Sequence, residues 1–335
     1  MKAMVVPSAK AGFVLEDRPV PEPGPGEVRI KVRACGVCHS DQVVKDGLWP
    51  GLKLPRVPGH EVVGEVDAVG RGVDRFPRGT RVGVGWHGGH DGTCPACQRG
   101  RFVHCEQGNI TGVSRDGGYA EYLVIPAIAV ARVPDGMPWA KAAPLLCAGV
   151  TTFNALRNSG ARPGDLVAVQ GLGGLGHLGV QYAREMGFHV VAISRGPEKE
   201  AFARELGASH YVDAAAEDAA ARLQALGGAN VILATAPEAH AISALVPGLG
   251  VDGCLLVVAA AFEPLAVGAI DLIMGSRRVQ GWASGTAVDS TDAMAFAARA
   301  GIEPMIETFP LAKAEEAYAR MMSGKARFRV VLEVG

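Results

Sequence analysis

In LVAVQGLGGLGHLGVQYAREMG, which extends from Leu166 to Gly187, an apolar pentapeptide is followed by a glycine-rich turn and then by a helical pattern. A short apolar run bounded by glycine is typical of a buried strand, and the apolar spacing of LGVQYAREMG is typical of an amphipathic helix. Strand, tight turn and helix in this order form the first part of a βαβ unit, so the stretch predicts a parallel sheet.

The turn GLGGLG places Gly171, Gly173 and Gly176 in the GxGxxG spacing. Glycines at these places allow a tight turn and a close approach of the backbone to a pyrophosphate, whose charge meets the amides and the positive end of the helix. The alternative is a glycine turn that only closes a helix onto a strand, and the surrounding βαβ pattern favours the dinucleotide site. We expect the intervening Gly174 and Leu175 to contact the cofactor as well.

Strand and helix patterns continue to alternate after this turn. The segments are the strands HVVAIS, HYV, NVILA, CLLVVAA and RVQGWAS and the helices PEKEAFARELG and EDAAARLQAL. Together with LVAVQ they predict about six strands separated by helices, which is the pattern of a doubly wound parallel sheet.

The first half of the chain has a different pattern. EVRIKVRA alternates apolar and polar residues, and VVGEVDAVG, RVGVGW and YAEYLVI follow between glycines and prolines, so this half is predicted to be mostly β-structure. Residues 286–335 combine strand and helix signals in EPMIETF, KAEEAYARMM and ARFRVVLEV, and pattern alone does not assign them to either half.

Composition limits the classes of partner. The 335 residues are 48% hydrophobic, which is enough for two buried cores, and the formal net charge is -1. Interspersed charges give no basic face for nucleic acid and no polybasic anchor for a membrane, and no run reaches the roughly 18 apolar residues of a spanning helix. The N-terminal segment lacks a signal-peptide pattern, so a cytoplasmic location is expected. Seven clustered cysteines favour metal binding over a disulfide framework.

Three residues from separate segments supply a metal-ligand set. Cys38 and Cys147 with His60 form a Cys2His set, which leaves the fourth position of a tetrahedral zinc for water or an alcohol. Taken singly, such cysteines are more often buried structural residues, and such a histidine is more often simply hydrogen-bonded. Spacing alone does not bring the three together.

The motifs CGVCHSD, GHEVVGEV, PLLCAGVTT and GLGGLG, with a cysteine loop between His90 and Cys105, resemble those of the zinc-containing medium-chain alcohol dehydrogenases in order and interval. The resemblance covers essentially the whole chain. It implies an α/β protein with a β-rich, GroES-like catalytic domain of residues 1–150 and 286–335 and a doubly wound (Rossmann) cofactor domain of residues 151–285. The active site is then expected in the cleft between the domains.

The resemblance assigns roles to the residues around the Cys2His set. It implies that Cys38, His60 and Cys147 hold the catalytic zinc. It also implies that Glu61 is an alternate ligand that can approach the metal and that Asp41 orients the imidazole of His60.

Further positions follow from the same resemblance. Ser40 is implied as the hydroxyl that passes the substrate proton outward, although Val43 stands where many relatives carry the histidine that completes this relay. His39, near the pyrophosphate, and Arg329 are implied as cofactor contacts. Trp49 and Trp86 fall where the family places the aromatic residues of the substrate pocket. The alternative is that both are core tryptophans.

The cysteine loop resembles the structural zinc site of the family with one ligand changed. That site has four cysteines, and Cys94, Cys97 and Cys105 match the second, third and fourth. Asp91 stands at the first position, and a carboxylate ligates zinc with the same formal charge as a thiolate. The alternative is a lobe without metal that keeps three free thiols. Two histidines are weaker ligand candidates: His90 and His104.

The end of the second strand of the cofactor domain indicates which nicotinamide cofactor is used. Relatives that prefer NAD carry Asp at this place, where this chain has Ser194 followed by Arg195. The missing carboxylate removes repulsion towards a 2′-phosphate and the guanidinium can bind it, so NADP is expected, with NAD still usable. Lys199 either adds to this contact or is a solvated helix residue, and the alternative for Arg195 is a solvated surface arginine.

The predicted activity is the reversible oxidation of primary or secondary alcohols to aldehydes or ketones by hydride transfer to NAD(P), with zinc as the Lewis acid. Polyol dehydrogenases are a near alternative, but that branch typically has a carboxylate in place of Cys147. Quinone and enoyl reductases of the same fold lack the three zinc ligands, and a cofactor-binding protein without activity is disfavoured by intact ligands at three distant sites. The expected partners are a small alcohol or carbonyl compound and further copies of the chain, as a tetramer or dimer.

Overall fold

Alternating and continuous apolar runs form two kinds of sheet in the computed structural model, which describes residues Met1–Gly335. The chain divides into two units. One comprises Met1–Val150 together with Gly285–Gly335, and the other comprises Thr151–Ser284. No helix has the length and apolar character needed to span a membrane.

The secondary-structure elements are numbered in chain order. The strands are β1 (Lys2–Val5), β2 (Val14–Asp17), β3 (Glu27–Val37), β4 (Val62–Val69), β5 (Arg81–Val84), β6 (Tyr122–Pro126), β7 (Val130–Arg132), β8 (Leu166–Gln170), β9 (His189–Ser194), β10 (His210–Asp213), β11 (Ala229–Ala234), β12 (Leu249–Val257), β13 (Arg278–Gly281), β14 (Ile306–Pro310) and β15 (Arg329–Glu333). The α-helices are α1 (Gln42–Lys45), α2 (Pro95–Gln98), α3 (Trp139–Ala142), α4 (Ala148–Arg157), α5 (Gly176–Glu185), α6 (Glu200–Glu205), α7 (Ala219–Ala225), α8 (Ala239–Ser243), α9 (Ala269–Ile273), α10 (Ala287–Ala300) and α11 (Ala314–Met322).

The first unit is built around β3. Its alternate residues Val28, Ile30 and Val32 are buried, as the alternation in EVRIKVRA predicts. β3 pairs antiparallel with β4, β6 and β15, and the sheet order is β14-β15-β3-β4-β5-β7, with β6 beside β3. The prediction of mostly β-structure is confirmed, and the end of the chain joins this unit because β15 lies next to β3.

The second unit contains the predicted parallel sheet. Its order is β10-β9-β8-β11-β12-β13, and every neighbouring pair is parallel, so the predicted six strands are confirmed. One helix is shorter than predicted, because Pro197–Lys199 form a 3-10 turn and α6 begins only at Glu200. Gly196, at φ 93°, directs the chain sideways before it becomes helical.

The carboxyl ends of β8, β9 and β11 lie at one edge of this sheet because the three strands are parallel. β8 lies between the other two, so the glycine turn that follows it is flanked by the loops after β9 and β11. Hydrogen bonds join these loops: the Gly171 N–H donates to the Ile193 carbonyl (2.8 Å), and the Thr235 hydroxyl donates to the Gln170 carbonyl (2.7 Å). This edge is where a sheet of this topology offers a ligand site.

Candidate active site

Two groups of cysteine, histidine and carboxylate side chains converge in the first unit. Within each group the four ligand atoms lie within 4.8 Å of one another. The first group is Cys38, His60, Glu61 and Cys147, and the second group is Asp91, Cys94, Cys97 and Cys105. The structure thus brings together both sets of residues that the sequence singles out as metal ligands.

The first group begins at the end of β3. The strand ends just before Cys38, and the following 3-10 turn contains the exposed His39, the half-buried Ser40 and the buried Asp41. The N–H of Cys38 donates to Asp41 Oδ2 (2.9 Å), and Asp41 Oδ1 lies 3.2 Å from His60 Nδ1. One short turn therefore positions a thiol and the carboxylate that faces the imidazole.

Asp41 is also held by Tyr119. The hydroxyl of Tyr119 is buried and donates to Asp41 Oδ2 (2.9 Å), and burial raises the pKa of this tyrosine well above its usual value, so it keeps its proton. The two residues are 78 positions apart, and the segment around Tyr119 shows only a strand pattern. No spacing rule connects a tyrosine to a carboxylate at this separation, so the sequence carried no signal for this contact.

His60 presents an unsatisfied nitrogen to the first group. Its side chain is buried, Nδ1 faces Asp41, and Nε2 has no hydrogen-bond partner. A buried polar atom without a partner is costly, and a neutral imidazole nitrogen is a common zinc ligand. The sulfur atoms of Cys38 and Cys147 are 3.8 Å apart. Two thiolates bound at ~2.3 Å to one tetrahedral ion are separated by about the same distance, so this donor set fits zinc.

The charges of the first group are coupled. The contact with Cys147 lowers the pKa of Cys38 well below its usual value, and the contact with Cys38 raises the pKa of Cys147. Burial lowers the pKa of His60, but Asp41 outweighs this effect and raises that pKa well above its usual value. One thiolate therefore forms readily, and a bound cation would release the remaining protons, because metal ligands must be deprotonated.

Glu61 is fully buried beside these residues. Its Oε1 accepts a hydrogen bond from Arg329, and its Oε2 has no partner. Burial raises the pKa of Glu61 to about 7, and Arg329 limits the rise. A Cβ at Gly36 would overlap the Glu61 carboxylate, so the sequence needs glycine there. The cofactor contact of Arg329 remains a prediction, since its guanidinium is buried against Glu61.

Aromatic and apolar side chains border His60. The ring of Trp86 meets the imidazole edge to face with centroids 4.9 Å apart, and the ring of Trp49 packs on Trp86 at 5.9 Å. Trp49 is 38% exposed, so it is not a core tryptophan. Val43 and Trp86 pack against the apolar cluster that contains Val44. This chain therefore has an apolar contact where many relatives carry the relay histidine.

The second group includes Asp91 in the place of a cysteine. Its Oδ1 accepts hydrogen bonds from the N–H groups of Cys94 (3.0 Å) and Thr93 (2.7 Å), which lower the pKa of Asp91 to about 2. The sulfur atoms of Cys94 and Cys105 are 3.9 Å apart, again close to the ~3.8 Å of two thiolates on one tetrahedral ion. The ionised carboxylate and three sulfurs, with Cys97 on α2, therefore form a donor set that also fits zinc.

The weaker ligand candidates His90 and His104 are not members of this group. The ring of His90 stacks on Phe102 with centroids 4.3 Å apart, and its Nδ1 lies 3.2 Å from His87 Nε2. His87 is buried, and burial lowers its pKa to about 4. His90 is thus engaged with a histidine and a phenylalanine rather than with the thiols.

In the second unit, the glycine turn leaves open surface before α5. Gly171 has φ 93°, and a Cβ at Gly176 would overlap the Gly171 carbonyl, so the turn itself requires both glycines. A Cβ at the exposed Gly173 would meet no atom within 4 Å. Glycine at this position instead keeps the surface free for a pyrophosphate that approaches the first turn of α5, beside the half-buried Gly174 and Leu175.

The loop after β9 carries an ion pair that the sequence does not indicate. Ser194 is the last residue of β9, and Nη2 of Arg195 lies 2.5 Å from Oε2 of Glu238, which follows β11 on the other side of the glycine turn. Lys199 is half-buried at the end of the next 3-10 turn. The predicted phosphate ligand is therefore already paired with a carboxylate.

Known proteins match the chain over nearly its full length. Residues 24–135 match the family described as the alcohol dehydrogenase GroES-like domain, and residues 174–300 match the family described as zinc-binding dehydrogenase. The alcohol dehydrogenase patD of Penicillium expansum is 49% identical over 336 residues, which cover 99% of this chain and 97% of that protein.

Similar solved structures contain either nicotinamide cofactor. CAD from Helicobacter pylori, complexed with NADP(H), has a TM-score of 0.87 at 29% identity and is matched over 99% of this chain and 97% of that chain. The acetophenone reductase of Geotrichum candidum, in complex with NAD, has a TM-score of 0.86 at 27% identity and is matched over 99% of this chain and 96% of that chain. Two matched domain families in the expected order, and a curated relative at 49% identity, show that this chain is an oxidoreductase of the zinc-containing medium-chain alcohol dehydrogenase family.

Proposed function

We propose that this enzyme catalyses the reversible, zinc-dependent oxidation of primary or secondary alcohols to aldehydes or ketones, with NADP(H) preferred and NAD(H) usable. The observation that supports the proposal most strongly is the partnerless Nε2 of buried His60, which shares one cluster with two cysteine sulfurs. Such a Cys2His set leaves one zinc position open for substrate.

Cys38, His60 and Cys147 are the proposed ligands of the catalytic zinc. Bound there, zinc supplies a Lewis acid for the substrate oxygen, and the nicotinamide accepts or returns the hydride. Glu61, whose Oε2 has no partner, is the proposed alternate ligand. The thiol of Cys147 stands where polyol dehydrogenases typically have a carboxylate, which favours simple alcohols over polyols.

Three further residues serve the reaction without holding the metal. Asp41 keeps His60 in the orientation in which Nε2 faces the cysteines, and Tyr119 holds the Asp41 carboxylate. Ser40 passes the substrate proton outward. Because Val43 offers no proton acceptor, the ribose of a bound cofactor or water would be the acceptor for the proton that Ser40 passes outward.

The cofactor proposal rests on the edge of the parallel sheet. Gly173 leaves room for the pyrophosphate, and Ser194 replaces the carboxylate that would repel a 2′-phosphate. Arg195 is exposed and can offer a charge-assisted contact, with Lys199 nearby in sequence. His39, in the first unit, is proposed to contact the pyrophosphate.

The second group of ligands is proposed to hold a structural zinc. Asp91 takes the first ligand position, and Cys94, Cys97 and Cys105 take the others. This assignment is supported by the ligand atoms of the four residues, which all lie within 4.8 Å of one another. A site with four protein ligands has no open position for substrate, so its role is to stabilise the lobe.

Further copies of the chain are the proposed protein partners, in a dimer or tetramer. β13 is at the edge of the parallel sheet and all four of its residues are exposed. Ile270, Ile273 and Met274, in or next to α9, are 69%, 69% and 78% exposed. An unpaired strand edge and exposed apolar side chains close to it in sequence are features that a second copy would cover. The cytoplasmic location remains a prediction.

The proposal is tested on purified protein with metal analysis and a panel of alcohols. Alcohol-dependent formation of reduced nicotinamide is expected with both cofactors, together with two zinc ions per chain and loss of activity when a chelator removes the catalytic ion. Protein that is fully active after complete zinc removal would contradict the mechanism. A panel in which only polyols are oxidised would favour the alternative branch.

A further inference from the structure

Arg195 and Glu238 face each other across the glycine turn of the second unit. Arg195 follows β9 and Glu238 follows β11, and β8, which leads into the turn, lies between these strands. Nη2 of Arg195 lies 2.5 Å from Oε2 of Glu238, so the pair joins the loops on either side of the turn. This is the place where the adenosine ribose of a dinucleotide meets a sheet of this topology.

Hydrogen bonds to backbone groups hold both of the loops that carry the ion pair. In the loop after β9, the Gly196 N–H donates to Asp213 Oδ1 (2.8 Å), and the Tyr211 hydroxyl donates to the Gly196 carbonyl (2.6 Å). In the loop after β11, the Ala236 N–H donates to Gln170 Oε1 (3.1 Å). The two charged side chains therefore extend from backbone segments that are held by hydrogen bonds.

The ion pair contributes little to folding. The side chains of Arg195 and Glu238 are 64% and 52% exposed, and pairs this exposed contribute little to stability. Glu238 is the residue before α8, but its carboxylate makes no capping hydrogen bond to that helix. Its polar contact is therefore with Arg195, and removing the carboxylate should change ligand binding more than folding.

We propose that Glu238 is a specificity-determining residue that weakens NADP(H) relative to NAD(H), because its carboxylate competes with the 2′-phosphate for the Arg195 guanidinium. A 2′-phosphate that takes Arg195 displaces the carboxylate and leaves two anions close together. A 2′-hydroxyl is neutral, leaves the ion pair intact and can donate a hydrogen bond to the carboxylate. The inference rests on the proposed function only in placing the ribose beside Arg195.

The test measures binding without catalysis. The dissociation constants of adenosine 2′,5′-bisphosphate and 5′-AMP are determined by calorimetry for the wild type, for E238Q and for E238A. The bisphosphate should bind about three- to fivefold more tightly to both variants, while 5′-AMP stays within about twofold, as expected for the loss of one exposed charge contact. The ratio of kcat/KM for NADP to that for NAD should rise by the same factor.

A matched control removes an acidic residue of the same unit elsewhere. E205Q changes the exposed last residue of α6. Because α6 leads back to the start of β10, Glu205 lies near the amino ends of the strands, whereas the glycine turn lies at their carboxyl ends. E205Q should leave both dissociation constants unchanged. Thermal melting of all variants identifies any that are unfolded, and E238A serves if E238Q fails to fold.

A combination with R195A separates the inference from the proposed function. In protein that already carries R195A, adding E238Q should no longer lower the dissociation constant of the bisphosphate more than that of 5′-AMP. One outcome is that R195A weakens bisphosphate binding, whereas E238Q leaves both dissociation constants unchanged or alters both by the same factor. In that case the proposed role of Glu238 is wrong and the phosphate contact of Arg195 stands. If R195A leaves bisphosphate binding unchanged, the proposed reading of the 2′-phosphate is wrong as well. Absence of alcohol oxidation would contradict the proposed activity and would leave these binding results intact.

Discussion

Asp41 Oδ1 lies 3.2 Å from His60 Nδ1, and the same carboxylate accepts hydrogen bonds from the Tyr119 hydroxyl and the Cys38 N–H. One buried carboxylate thereby fixes the ring of one proposed zinc ligand and the backbone of another. Tyr119 limits how this carboxylate can turn. The geometry of the proposed catalytic metal site therefore depends on a contact between segments that are distant in sequence.

Tyr119→Phe should loosen this site without removing a ligand. The variant leaves a buried carboxylate with one hydrogen bond fewer, which should lower zinc affinity by about tenfold and the free energy of unfolding by about 1.5–3 kcal/mol. Zinc affinity is measured by competition with a chromogenic chelator, and stability by urea unfolding. Tyr122→Phe is the control, because Tyr122 lies on β6 and packs near Arg29 rather than Asp41. Equal zinc affinity in Tyr119→Phe and wild type would show that the hydroxyl does not position Asp41.

Cys147→Ala should abolish turnover while dinucleotide binding survives. The variant removes one of two thiolates from the proposed catalytic site, so activity should fall by more than about a hundredfold, beyond the usual effect of a residue that only supports a ligand. The zinc content should fall by one ion per chain, and binding of 5′-AMP should stay within about twofold because the glycine turn is in the other unit. Cys254→Ala, a buried thiol of β12 outside both ligand groups, is the control. Normal zinc and activity in Cys147→Ala would refute the ligand assignment.

Asp91 variants should separate metal binding from loop capping. Asp91→Asn keeps an oxygen that can accept from the N–H groups of Cys94 and Thr93 but removes the charge, whereas Asp91→Ala removes both. With zinc in the lobe, both variants should lose the second ion and melt at lower temperature, and Asp91→Cys should restore both properties. Both Asp91→Asn and Asp91→Ala should therefore lower the melting temperature clearly while changing kcat only slightly. One zinc per chain in fully active wild type, with Asp91→Asn melting like wild type, would indicate a lobe without metal.

The sequence predicted features that leave a local pattern. The parallel sheet followed from alternating strand and helix signals, and the glycine turn followed from its spacing. The Cys38 and Cys147 pair spans 109 residues, so only family resemblance connected them. The contact of Tyr119 with Asp41 left no such signal, because it joins side chains from distant segments. The same holds for the ion pair between the loops after β9 and β11.

The pH dependence of stability should report the buried His87. Burial lowers its pKa to about 4, so the folded chain binds this proton less readily than the unfolded chain, in which histidine titrates near its usual value. Stability is therefore expected to fall as the pH falls from about 6.5 to about 4, by up to about 1.4 kcal/mol per pH unit from this residue. His87→Gln should have a shallower slope in urea unfolding at several pH values, whereas the exposed His189→Gln should keep the wild-type slope. Zinc release in acid affects all three proteins, so the difference between slopes is the measurement, and equal slopes in wild type and His87→Gln would contradict the expectation.

Arg195→Ala should decide how the cofactor is chosen. A charge-assisted hydrogen bond to a phosphate contributes about 1.5–3 kcal/mol, so kcat/KM for NADP should fall about tenfold to hundredfold while kcat/KM for NAD stays within about twofold. Both cofactors are compared with one alcohol in one buffer, and Arg222→Ala, which removes an exposed arginine from α7, is the control for net charge.

Arg195→Lys should recover part of the loss, since it restores the charge without the planar fork that binds phosphate through two N–H groups. A wild type that prefers NAD would overturn the proposed NADP preference and would agree with a strong opposing effect of Glu238. Equal losses for the two cofactors in Arg195→Ala would show that the guanidinium does not recognise the 2′-phosphate.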